Sequence, residues 1–194
     1  MASILSLLQT SEPAHLTMKT RPGVRSLDDL NRELDELLAA PELDGRYCML
    51  ARATILLWHD HFEAAHKIAQ DVENPDGSLL HGIIHRREPD FSNARYWFHR
   101  VGKTHPSFAC VAGKLKIALI GMRADQLAKR LLPDDKWHPL AFVDLLEDAQ
   151  GRAEPAFDKL LREFQAAEFY CFLATLPSRV DAIWPKRVFA PPSS

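Results

Sequence analysis

Seven of the nine histidines fall between residues 59 and 105: His59, His61, His66, His81, His85, His99 and His105. An even spread over the 194 residues would place about two in that window. Imidazole exchanges protons near neutral pH and is a common metal ligand. The same window holds Glu63, Arg86, Arg87, Glu88, Asp90, Asn93, Tyr96, Trp97 and Arg100. Spacing sorts these residues into stripes. His81, His85 and Glu88 fall on one face of a helix, beside the apolar Leu80, Ile83 and Ile84. Glu63, His66 and Gln70 make a polar stripe beside Phe62, Ala65 and Ala69, and Asn93, Trp97 and Arg100 make a third. Three short-linked helices packed as antiparallel neighbours would turn these stripes into one groove.

Two chemistries fit such a groove. In the first, His81 and His85 chelate an ion and His66 or Glu63 completes three ligands. Glu63-Ala-Ala-His66 has the Glu-x-x-His spacing of di-iron bundles, but no second copy is present. The metalloprotease pattern His-Glu-x-x-His fails at Gly82. Any metal would therefore rest on His66, His81 and His85, and no particular cofactor follows. In the second, the same three histidines are metal-free acid/base groups. Arg87 is then an anion clamp, and Asn93 and Trp97 position a small anionic organic ligand. Proton abstraction, isomerisation and dehydration are within reach of that set. A third interpretation is structural: Arg86 and Arg87 neutralise a helix end, Asp90 caps the next helix, and Tyr96 and Trp97 are core. The sequence leaves open whether the chain is an enzyme.

The elements that must carry these stripes are helices. Ser26 followed by Asp29 resembles a capping box, and Leu27, Leu30, Leu34, Leu37 and Leu38 keep helical spacing until Pro41. Further helices are expected over 44–58, 61–73, 78–88, 91–101, 107–130 (bent near Gly113 or Gly121), 139–150 and 154–175. Asn74-Pro75-Asp76-Gly77 reads as a turn, and Asp90 and Gly102 bracket the fifth helix. No segment alternates as a strand does. The expectation is one all-α domain of seven or eight helices over residues 26–176, packed as helical hairpins. Residues 1–25 read as a loosely packed irregular arm, and 177–194 as an extended tail with Trp184 and Phe189 as anchors.

Composition narrows the classes. Apolar residues make up 46% of the chain, so it can build a core. A net charge of −2 gives no footprint for nucleic acid, and the Lys and Arg residues between 114 and 130 are interrupted by apolar ones. No run is long enough to cross a membrane, and the apolar Ile4–Leu8 lacks the flanks of a secretory signal. Three dispersed cysteines, Cys48, Cys110 and Cys171, suggest reduced thiols and a cytoplasmic protein. Phosphate-binding glycine loops and the Gly-x-Ser-x-Gly elbow are absent.

A weak internal echo recurs at a spacing of 29: Phe62 with Phe91, Ala65 with Ala94, Val72 with Val101, and Ser78 with Ser107. The stretch from Asp90 through Tyr96-Trp97 to Gly102 resembles the first helix of a Sel1-like or tetratricopeptide-type repeat. That likeness implies a non-catalytic interaction module with a concave apolar surface. Two amphipathic helices agreeing by chance is the alternative. The string His85-Arg-Arg-Glu-Pro-Asp90, with Ala65–Gln70 before it and Asn93-Ala-Arg-Tyr-Trp97 and His105-Pro106 after it, resembles a family of uncharacterised bacterial and fungal proteins. That resemblance implies a single domain and carries no activity, cofactor or catalytic residue to this chain.

Overall fold

A computed structural model describes residues 3–41, 43–151 and 154–176. Nine α-helices run through them: α1 (Leu27–Leu37), α2 (Gly45–Trp58), α3 (Phe62–Ala69), α4 (Pro75–Arg87), α5 (Phe91–Val101), α6 (Pro106–Gly121), α7 (Asp125–Leu131), α8 (Pro139–Ala149) and α9 (Pro155–Thr175). Two 3₁₀ turns, Ile4–Leu8 and Pro133–Asp135, complete the set, and no strand occurs among the described residues. The fold is all-α. The tail expected over 177–194 lies outside the described residues. No helix in the described part is long and apolar enough to cross a membrane.

Local chemistry explains most boundaries. The Ser26 hydroxyl accepts from the Asp29 amide, and Asp44 accepts from the amides of Arg46 and Tyr47. Asp90 caps α5 through the Asn93 amide, and Gly102 ends it with φ 81°. Asn74-Pro75-Asp76-Gly77 is a helix start rather than a free turn. Asn74 accepts from the Gly77 amide, and Pro75 occupies the first turn, where its missing N–H costs nothing. The single helix expected over 107–130 is two. The chain breaks after Gly121, Arg123 takes φ 53°, and α7 restarts at Asp125.

Helices α2 to α5 pack one on the next, α5 also meets α8, and α6 lies along α9. The core runs between α2 (Leu50, Ile55, Leu57), α4 (Leu80, Ile83, Ile84) and α9 (Leu161, Phe169, Phe172). Gly82 sets the spacing of α4 and α5. A Cβ there would lie 2.9 Å from the Phe98 ring, closer than carbon atoms approach. The eight residues of the echo are all buried. The helix after the second copy starts two residues later than the one after the first, so the two units lose register.

Two expectations are corrected. The N-terminal arm is not loose: Ile4, Leu7 and Ala14 are core residues. Arg21 is pinned by Asp60, which accepts from the Arg21 Nε–H at 2.9 Å and from its amide at 3.0 Å. Nor are all three thiols reduced. Cys110 and Cys171 form a disulfide between α6 and α9 with Cα atoms 5.6 Å apart, leaving Cys48 free. The bonded pair removes the thiol argument for a cytoplasmic location.

Candidate functional site

The stripes on α3, α4 and α5 do meet. His66 packs edge-on against His81 and His85, with ring centroids 5.1 and 5.6 Å away. His81 and His85, one turn apart on α4, lie nearly parallel at 6.1 Å. Trp97 of α5 stacks on His81 at 4.1 Å with planes 13° apart. The absent side chain at Gly82 lets α5 approach closely enough for that stack.

Each histidine has a distinct environment. The His81 Nδ1–H donates to the Gly77 carbonyl at 3.1 Å, because a carbonyl can only accept. Its Nε2 therefore carries the lone pair. Burial pushes its pKa down to about 4, the two neighbouring imidazoles add to this, and the Gly77 bond opposes it. The ring is neutral at pH 7. The His85 Nδ1–H donates to the Glu88 carboxylate at 2.8 Å, and its Nε2 meets the Asn93 amide nitrogen at 3.2 Å. Both Asn93 and Glu88 thus fix the plane of one ring. The His66 ring, half-buried, has no hydrogen-bond partner among the described residues.

No family model, curated protein or solved structure matches this chain. The chemistry must be read from the residues themselves.

Arg87 is not in the groove. Two residues past His85 it points about 200° away around the helix. Its guanidinium is fully buried, pairs with Asp60 at 2.7 Å and donates to the Leu57 carbonyl at 2.7 Å. It also lies 4.4 Å from the Phe62 ring centroid. Burial lowers its pKa to about 10, against the opposing pull of Asp60. Arg87 is thus a structural cation and not an anion clamp. Arg86 is equally buried, between the rings of Phe98 and Phe142, and it pairs with Glu168. A metal centre on His66, His81 and His85 does not fit either. No group of three or more His, Cys, Asp or Glu among the described residues converges on a point that could hold an ion. The rings pack against one another instead.

Arg100, on the α5 stripe, lies with its guanidinium 5.5 Å from the Trp97 centroid and 5.8 Å from that of Tyr96. Other polar pairings were not singled out by spacing. Away from the groove, the His105 Nε2–H donates to Asp76 at 2.9 Å, and Ser107 donates its hydroxyl to His105 Nδ1 at 2.7 Å. All three are buried, and they tie the start of α4 to the start of α6. Asp60 sits between Arg21 and Arg87. Burial alone would raise its carboxyl pKa, but hydrogen bonds from the two arginines overcome that and hold it below the ordinary value. Partners separated by tens of residues leave no local signal.

Proposed function

We propose that the α3–α5 groove binds a small organic molecule and exchanges a proton with it. The observation that carries this reading is the line Glu88–His85–Asn93. A carboxylate holding one imidazole nitrogen fixes the ring and leaves Nε2 as the working nitrogen, the arrangement general bases use. Asn93 occupies that nitrogen at rest and would hand it to a substrate proton. His81, kept neutral, offers its Nε2 as an acceptor, and His66 is the second imidazole within reach. Trp97 and the His81 ring behind it form a flat wall for a planar group. With Arg87 elsewhere, Arg100 is a cation for an acidic substituent of the ligand.

The test is a fragment screen of ¹⁵N-labelled protein by NMR at pH 7, with aromatic acids and enolisable keto acids in the set. The expected result is hits that move the Trp97 indole and the His66 and His85 ring signals together. His85→Ala and Trp97→Ala should lose them. Hits that leave these three residues untouched would refute the reading.

A second reading is favoured by one observation. Tyr96 is 54% exposed beside Trp97, with Arg100 against both. Tyr, Trp and Arg are the residues that dominate protein interfaces. The repeat-like echo would then serve a protein partner, and mutation of Tyr96 would weaken partner binding without changing fragment binding.

A further inference from the structure

Helix α6 is apolar on more than the face it buries. Val111, Leu115 and Leu119 turn into the core. On the opposite side, about 180° around the helix, stand Ile117 and Ile120. At 78% and 66% exposure they are the two most exposed large apolar side chains among the described residues. Ala109 and Gly113, also exposed, continue the same stripe toward the start of the helix. A helix that is apolar all round is ordinarily covered on every side.

Charge narrows what the cover is. Residues 103–136 hold seven Lys and Arg against three Asp and no Glu, a net +4 in a chain that totals −2. Two of these cations flank the isoleucines: Lys114 and Lys116 lie on either side of them, about 90° and 70° around the helix. The Lys114 ammonium rests 4.1 Å from the Tyr170 ring centroid, and Lys116 pairs with Asp135 at 2.8 Å. Both lysines are exposed, and surface contacts of this kind hold a side chain weakly, so each can turn outward.

Three anionic surfaces would accept the cations. A nucleic acid binds through its phosphates and gives the isoleucines no apolar surface to enter. A protein interface concentrates aromatic side chains and Arg at its centre and is poor in Lys. Residues 109–132 contain no Phe, Tyr or Trp. Aliphatic side chains between two lysines suit a lipid surface, where the lysine stems lie along the apolar layer and the ammonium heads reach the phosphates. We propose that the outer face of α6 docks on a membrane surface rich in anionic lipid, with Ile117 and Ile120 entering the headgroup boundary and Lys114 and Lys116 against lipid phosphates. The helix lies on the bilayer and does not cross it. The face is outside the α3–α5 groove and does not rest on the function proposed for that groove.

The experiment sediments the full chain with vesicles of phosphatidylcholine alone, or with about 30% phosphatidylglycerol added. The protein should bind the mixed vesicles and not the neutral ones, and binding should fall as salt rises from about 0.1 to 0.5 M. Lys114→Gln with Lys116→Gln should weaken binding about thirtyfold. Ile117→Ser with Ile120→Ser leaves the charge unchanged and should weaken it about tenfold or more. Because the four side chains are exposed, both double variants should melt with the wild type, and Ile117→Ser alone serves if the pair does not. Absence of binding to the mixed vesicles, equal binding to neutral ones, or an isoleucine variant that binds as wild type does would each overturn the proposal. So would a wild-type dimer that the isoleucine variant turns into a monomer, since a second copy of the chain would then cover the face.

Discussion

Replacing His81 by Asn should flatten the acid side of the stability profile. In the native protein His81 binds its proton only near pH 4, while in the unfolded chain it titrates near 6.5. Between these values the unfolded chain holds a proton that the folded one refuses, so stability falls as pH falls. Stability from this group is fully present above pH 6.5 and is lost as pH drops through 4. The two pKa values give a loss of ~2 kcal/mol by pH 5 and ~3 kcal/mol once both states are protonated. Because the ring is 4% exposed, little solvent screening discounts the figure. Asn keeps a donor near the Nδ1 position for the Gly77 carbonyl and does not titrate. The assay is urea denaturation of wild type and His81→Asn at pH 7.5, 6 and 5, with the m-value checked at each. Wild type should lose ~2 kcal/mol more than the variant across that range. Parallel profiles, or a His81 ring that titrates near 6.5 by NMR, would refute the burial argument and with it the neutral acceptor assigned to the groove.

Three more outcomes follow from the packing. Reducing the Cys110–Cys171 bond, or Cys110→Ser with Cys171→Ser, frees a loop with a sequence separation of 61. Chain entropy puts the loss at up to about 4 kcal/mol, visible as a drop in melting temperature with dithiothreitol, and no drop would mean the bond does not form in solution. Asp60→Asn should cost about 3–5 kcal/mol, because Arg21 and Arg87 remain charged and buried. Asn tolerates the φ of 66° at that position, so an urea-measured loss reports the charge and not the backbone, and a loss under 1 kcal/mol would count against the pairing. Gly82→Ala should cost about 1–3 kcal/mol and move the Trp97 indole signal, since its Cβ would press on Phe98; an unmoved indole would show that α5 does not set the stack.

Helical spacing was a good guide where function depends on one face of one helix. It aligned His81 with His85 and turned Trp97 toward them. Arg87 shows the limit of reading a charged run as a unit. His85-Arg86-Arg87 are adjacent in sequence, yet they point in three directions, toward the groove, α9 and Asp60 respectively. The caps at Ser26, Asp90 and Gly102 were legible because each acts within three residues. Asn74-Pro75 was ambiguous, since the same residue types open turns and helices. The arm escapes a reading by spacing because Ile4 and Leu7 are buried from a single short 3₁₀ turn, too brief for its three-residue repeat to stand out. The Cys110–Cys171 and Asp76–His105 links join distant positions, and only the fold brings them together.

Gly82 has a consequence for how this chain can change over time. Its missing side chain and the Phe98 ring occupy one shared volume, so neither position is free to vary alone. A methyl gained at 82 would be tolerated after the ring at 98 has shrunk, for instance to Leu, and a restored ring would demand the glycine back. Among divergent descendants of this sequence the two sites should therefore drift as a pair. The histidines beside them would inherit whichever groove width that pair permits, so the selectivity of the groove could be retuned without touching a residue that lines it.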